Sequence, residues 1–308
     1  RLNVLINCVW FIYALDACLD YLAEIFCEKN LANVLETLFL KELKKSMMKR
    51  IVPIITLMLF FACKQNKHQN EESTEVVAEM EAEVPEDATI TPIEHATAVL
   101  EWNGNTLYID PVGGKEAFEG QKPPTLILIT DIHGDHFNLE TLQTLDTVNA
   151  TIVAPKAVAD QISTDFGSPV VVMNNGETKN FSGITVEAIP MYNLREEALD
   201  FHTKGRGNGY VLTVGQERIY FSGDTEDIPE MRALQNIDKA FICMNLPYTM
   251  TEESAADAVL AFKPKEVYPY HYRGRPNVSD VAKFKTLVNE GDPNIKVVQL
   301  DWYPKDDF

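Results

Sequence analysis

The chain has 308 residues, 45% of them hydrophobic, which is enough for one large domain or two small ones with a real core. A formal net charge of −19 argues against a nucleic-acid partner, because gripping a phosphate backbone needs clustered Lys and Arg. The five cysteines are Cys8, Cys18, Cys27, Cys63 and Cys243. Only Cys243 falls in the stretch that reads as folded, so no disulfide framework is implied, and Cys243 in KAFICMNL reads as a small buried hydrophobe.

Residues 1–47 open on Arg1 and read as an upstream or non-native segment. Asp16 and Asp20 interrupt its apolar run, which makes it a poor spanning helix, although a membrane or amphipathic segment is the alternative. Residues 48–63 have the layout of a signal peptide. Lys49 and Arg50 precede the apolar run IVPIITLMLFF, and Ala62 and Cys63 precede the polar KQNKHQNEEST. The ending LFFAC resembles a bacterial lipobox, which implies lipidation at Cys63 and a lipid-anchored protein of the bacterial cell envelope, facing the periplasm or the exterior. A non-lipidated signal peptide or a short anchor helix is the other reading. Residues 64–88, rich in Glu, Gln, Asn and Lys, cannot bury enough surface to order themselves and read as an acidic tether.

Residues 89–308 read as one domain. The stretch ATAVLEW alternates, Asn103-Gly104-Asn105 marks a turn, and TLYIDP follows, which predicts a β-hairpin. TLILIT is a continuous apolar run, as in a strand buried on both faces. Residues 138–145 have helical spacing with Asn138 as N-cap. TIVAP predicts a strand and 156–164 a helix. SPVVVM, GITVEAIP, GYVLTVG, RIYFSGD, EVYPYH and IKVVQLDW predict strands. Residues 251–262 and 279–290 predict helices, the second stopped by Gly291 at the C′ position. Hairpins and single strands with helices between them suit two sheets face to face with helices outside.

The chemistry concentrates at strand ends. Thr130-Asp131-Ile132-His133-Gly134-Asp135-His136 follows a buried strand and packs four metal-ligand side chains into six residues. Alternation puts Asp131 and His133 on one side, and a turn at Gly134 lets Asp135 and His136 swing round, so that one loop can feed two adjacent ions. His202, Asp224 and His271 each sit at a further strand end, in a chain with only 6 His. Lys204 and Arg206 follow His202, and Arg273 and Arg275 follow His271. Cations beside a metal site suit an anionic substrate group, although solvated loop charges are an equal reading. Tyr248 in LPYTM could bond a substrate or simply pack, and His95 reads as supporting the site from the hairpin.

This pattern resembles the metallo-β-lactamase superfamily, whose order is HxHxDH, then His, then Asp, then His. HATAVLEWNGNTLYIDP, YFSGDT, NLPYTMT and YPYHY are similar to its branch of ascorbate-6-phosphate lactonase-like and N-acyl-phosphatidylethanolamine phospholipase D-like hydrolases. The resemblance implies an α+β fold, a four-layer αββα sandwich. It implies two divalent ions, zinc first with manganese or iron as alternatives. Asp131, His133 and His202 would hold one ion, Asp135, His136 and His271 the other, and Asp224 would bridge. The first motif His of the family is Asp131 here, a harder donor that could shift metal preference or weaken that position. The implied reaction is attack by a metal-bridging hydroxide, oriented by Asp135, on an ester-type bond (phosphodiester, lactone or related) of an anionic small molecule or lipid. A non-catalytic, lipid-anchored metal-binding protein and a nuclease-type phosphodiesterase are the alternatives.

The N-terminal layout generates one prediction. In a bacterial host, Cys63→Ser is expected to move the protein from the membrane fraction to the soluble one; unchanged membrane association on fractionation overturns lipidation at Cys63.

Overall fold

The structure is a computed structural model that describes residues 87–304. Cys63 and the segments 1–47, 48–63 and most of 64–88 lie outside the described residues. Among those described, no helix is long and apolar enough to cross a membrane.

Two mixed sheets carry the domain. The first has the order β1-β2-β3-β4-β5-β6, from β1 (Thr89–Glu94), β2 (Thr97–Trp102), β3 (Asn105–Ile109), β4 (Leu126–Leu128), β5 (Thr151–Ala154) and β6 (Val170–Val172). Strands β1 to β3 are antiparallel, and β3 to β6 run parallel. The second contains β7 (Thr178–Phe181), β8 (Ile184–Met191), β9 (Gly207–Val214), β10 (Glu217–Phe221), β11 (Lys239–Cys243), β12 (Glu266–Tyr270) and β13 (Lys296–Val297), in the order β13-β12-β11-β10-β9-β8-β7. Here β7 to β10 are antiparallel and β10 to β13 parallel.

Strand parity divides the core. Leu100, Leu107, Ile109, Leu128 and Val153 share one apolar cluster with Val186, Leu212 and Phe221 of the second sheet. Their chain neighbours Val99, Tyr108, Ile127 and Ile152 point the other way into a separate cluster, because successive side chains alternate across a strand. That outer cluster is closed by Phe118, by Leu142 of α1 (Leu139–Thr144) and by Val158 of α2 (Lys156–Ala159). The second sheet carries α3 (Pro229–Arg232), α4 (Glu252–Phe262) and α5 (Val281–Gly291), which add Met231, Val259 and Phe284 to the central cluster. The layers are therefore helix, sheet, sheet, helix, the sandwich that the sequence implied.

Most predicted elements form, and Asn138 caps α1 by accepting from Thr141 N at 2.7 Å. Four features differ. The helix predicted over 156–164 stops after one turn, where the bonds tighten to Gln161 N–Val158 O and Ile162 N–Ala159 O and the polar run STDFG offers no further apolar face. Gly291 is not a left-handed C′ residue but the last residue of α5, packed so close to α4 that a Cβ there would stand 2.4 Å from Leu260 Cδ1 and the leucine would have to shift. Strand β1, outside the predicted elements, contains Pro92, which is tolerated at the sheet edge and accompanies a register irregularity. Of IKVVQLDW only Lys296 and Val297 pair, because the chain then leaves the sheet. It buries Trp302 against Phe241 and Tyr270, and the Trp302 carbonyl accepts from His95 N at 3.1 Å.

Trp302 thus ties the C-terminal segment to the core. Trp302→Ala is expected to cost about 3–5 kcal/mol, the usual cost of emptying a large aromatic site. Denaturant unfolding checks this, and an unshifted midpoint refutes the tie.

Candidate metal centre

Four strand ends at one edge of the sandwich meet. Beyond β4, Thr130 N donates to Asp110 Oδ1 at 2.7 Å and Thr130 Oγ1 to Asp110 Oδ2 at 2.6 Å, which anchors the start of the 131–136 loop. Asp110, at the end of β3, is fully buried, and its Oδ2 also faces His136 Nδ1 at 2.8 Å. A carboxylate on Nδ1 keeps the proton there and frees Nε2 as a donor atom, the usual device for fixing a metal-binding imidazole. After β10, Gly223 at φ +60° carries the chain past Met191 and Asn208, where a Cβ would stand 2.5 Å from Met191 Sδ, and so lets Asp224 turn inward. His202 comes from the β8–β9 loop, with Nδ1 3.2 Å from the Tyr248 carbonyl. His271 follows β12 at φ 48°, and its backbone N–H donates to the carbonyl of His95, itself at φ 58°. Two left-handed, non-glycine residues in contact mark a strained spot that the surrounding bonds hold in place.

The structure brings together all seven residues singled out in sequence as metal ligands. His136 Nε2 and His271 Nε2 are 3.1 Å apart, and Asp224 lies 3.4 Å from the first through Oδ2 and 3.2 Å from the second through Oδ1. Asp224 Oδ2 is also 3.2 Å from His202 Nε2, so one carboxylate faces both halves of the site. On the other side, Asp131 Oδ2 is 2.7 Å from His133 Nδ1 and 3.9 Å from His202 Nε2. Asp135 Oδ2 stands 3.5 Å from His271 Nε2. Tetrahedral metal–nitrogen and metal–oxygen bonds of roughly 2.0–2.2 Å put ligand atoms about 3.3 Å apart. The donor set, its spacing and the buried Asp224 Oδ1, which has no hydrogen-bond partner, fit a metal. Three groups could hold one: Asp131–His133–His202, His136–Asp224–His271 and His95–Asp135–His271.

His95 reaches further into the site than the sequence suggested. Its Nε2 is 3.3 Å from Asp135 Oδ2, and its Nδ1 is 2.6 Å from the Tyr303 hydroxyl. Asp110, Thr130 and Tyr303 were missed as site residues. The signal for Asp110 was available, since TLYIDP ends a buried strand on a carboxylate as RIYFSGD does; Tyr303, from the far end of the chain, left none.

The charges are tightly balanced. Burial alone would raise Asp224, but His271 and His136 hold it well below the usual carboxylate range. Burial would lower His136, yet Asp224 and Asp110 hold it well above the usual imidazole value. Asp135 is likewise opposed by burial and held low by hydrogen bonds from His271 and His95. Burial, with His271 beside it, brings His95 down to about 4. Burial pushes the Cys243 thiol up to about 12, in keeping with an inert core residue.

A cavity of about 550 Å³ opens over these residues, lined also by Phe201, Tyr248, Arg273 and Arg275. Two residues expected to contact substrate lie away from the cavity lining. Lys204 is turned to solvent, on Glu230 Oε1 at 2.9 Å and the Tyr192 hydroxyl at 3.1 Å, because an exposed ammonium finds an acidic partner there. Arg206 does not line the cavity; its guanidinium is taken up by Asp131 and the Phe201 carbonyl.

Comparison with known proteins places these observations. A family model described as a β-lactamase superfamily domain matches residues 89–271. A UPF0173 metal-dependent hydrolase of Pyrococcus abyssi is 31% identical over 217 residues, covering 67% of this chain and 93% of the relative. One from Staphylococcus carnosus is 30% identical, covering 65% and 92%. Among solved structures, a protein of Parabacteroides distasonis assigned as a metal-dependent hydrolase is 34% identical with a TM-score of 0.63, covering 70% of this chain and 94% of its own. A metallo hydrolase of Ignicoccus hospitalis, 23% identical over 69% of this chain and 94% of its own, has a TM-score of 0.59 and shows the fold alone.

The charge balance gives a pH prediction. Without metal, His136 takes a proton between two carboxylates, and this stabilises the fold fully below the unfolded value of 6.5 and is lost as pH rises towards the raised folded value. A metal needs His136 neutral and must displace that proton. The thermal stabilisation produced by added zinc is therefore expected to grow as pH rises from about 6 to 8.5. Unfolding scans with and without metal measure it, and a flat or falling increment refutes the reading.

Proposed function

We propose that this chain, which belongs to the β-lactamase superfamily and is a metal-dependent hydrolase, cleaves an ester-type bond (phosphodiester, lactone or related) in an anionic small molecule or lipid. The observation that carries the proposal is the pairing, in one cavity, of the His and Asp groups with Arg273 and Arg275, in a chain whose net charge is −19. Two divalent ions, zinc first and manganese or iron as alternatives, would be held by Asp131, His133 and His202 and by Asp135, His136 and His271, with Asp224 between. Bound there, such ions supply Lewis acidity that polarises the scissile bond and brings the pKa of water to roughly 7.

The chain's own residues do the rest. Asp135 is the one carboxylate of the set with a half-exposed side chain, facing the cavity while His95 and His271 hold its oxygens. Its carboxylate lines the cavity, where it can accept a proton from an attacking water at Oδ and pass it to the leaving oxygen. Arg273 lies over the Tyr303 ring at 4.8 Å, with Nη2 3.9 Å from Glu94, and Arg275 is exposed at the mouth. Both can meet a phosphate or carboxylate of the substrate. Phe201 and Tyr248, edge to face at 5.1 Å, form an aromatic wall for its apolar part. An envelope location through a lipid at Cys63 belongs to this proposal and would put a lipid or an extracytoplasmic metabolite within reach.

Steady-state kinetics on an anionic phosphodiester or lactone and on a neutral analogue test the reading. Chelation should abolish both activities, and Asp135→Asn should lower kcat. Arg273→Ala should lower kcat/KM by at least about tenfold on the anionic substrate, the effect of one lost charge-assisted contact, and much less on the neutral one. Equal losses on both substrates remove the anion from the proposal.

A further inference from the structure

Asp131 stands where the resembling family has His, and a guanidinium lies along its carboxylate. Arg206 Nε is 3.2 Å from Oδ1 and Nη2 is 3.1 Å from Oδ2, while Nη2 also donates to the Phe201 carbonyl, which fixes the guanidinium from a second side. Asp131 is fully buried, and Arg206 is 18% exposed at its side chain, so water screens this pair poorly. Oδ2 is the oxygen that turns towards His133 and His202. The other half of the site has no such cation: among the described residues, Asp135 and Asp224 pair with imidazoles alone.

We propose that Arg206 makes the two metal positions unequal, weakening the one at Asp131, His133 and His202 relative to the one at His136, Asp224 and His271. A carboxylate in place of an imidazole would add a negative charge and draw a cation more strongly. The guanidinium cancels that charge, competes for the lone pairs of the ligand oxygen, and repels an incoming dication from a few ångströms away. Asp131 and Arg206 together carry the same net charge as a neutral imidazole, but present a harder and less basic donor. Arg206 is thus a positioning residue that acts on the metal through Asp131. The opposite arrangement supports the second position, where Asp110 accepts from His136 Nδ1 and raises the basicity of the ligand rather than lowering it.

The inference rests on the metal reading of the site, and the test separates the two. The full chain, stripped of metal, is titrated with zinc against a chromophoric chelator. The expected parent shows two classes of ion that differ by at least about tenfold in affinity. Arg206→Gln, which keeps an amide donor but no charge, should tighten the weaker class by about tenfold and leave the tighter one unchanged, while Arg206→Lys should stay close to the parent. His271→Ala should remove the tight class and keep the weak one, a result that does not depend on how well the Arg206 variants fold. Two equal classes in the parent, a weaker class unchanged or loosened by Arg206→Gln, or loss of the weak class in His271→Ala overturns the inference. Failure of the parent to bind any ion overturns the metal reading itself.

Discussion

A single carboxylate, that of Asp224, is sunk among three imidazoles, with oxygens 3.2 to 3.4 Å from His136, His202 and His271. An ionised carboxylate removed from water is costly unless charge and hydrogen bonds answer it. Asp224 and the three residues that answer it come from four strand ends spread over both sheets. The sandwich must therefore close with its strand ends in register for the site to exist, and the central cluster of apolar residues from the two sheets is what holds that register.

Around that carboxylate, the supporting bonds run outward through the fold. Asp110 and Thr130 fix His136 from the end of the hairpin, and Tyr248 fixes His202 from the loop after β11. His95, Tyr303 and Trp302 form a chain of contacts from the first hairpin to the last residues of the domain, with Trp302 packed in the core. The first and last described parts of the domain thus meet under one wall of the site. The fold spends its tertiary contacts on orienting ring nitrogens, as a site that must hold a hard, directional ligand geometry requires.

Electrostatics then divides the site into two unlike halves. Among the described residues, Asp135 and Asp224 pair with imidazoles alone, whereas Asp131 meets a guanidinium as well. The cavity above adds Arg273 and Arg275 to an otherwise acidic molecule. At the site, Arg206 faces a ligand carboxylate and Arg273 and Arg275 line the cavity, a local arrangement that a net charge of −19 conceals.

By itself, the sequence determined the local facts. Alternation and apolar runs marked most strands, Asn138 marked a cap, and His or Asp after each of four strands marked the donor atoms, because side-chain parity and donor chemistry are properties of short segments. The family order of those residues then implied the sandwich and the pairing of ligands. The tertiary structure decided what depends on residues distant in the chain. Arg206, five residues from Phe201 and 75 from Asp131, turned from the cavity to a carboxylate that no spacing rule connects to it. Asp110 found His136 across 26 residues, and Tyr303 found His95 across 208. Gly291, which reads as a helix stop, proved to be the last residue of α5, packed against the Leu260 side chain of α4. Each of these is a contact between surfaces rather than a preference of a segment, and such contacts exist only once the two sheets have packed.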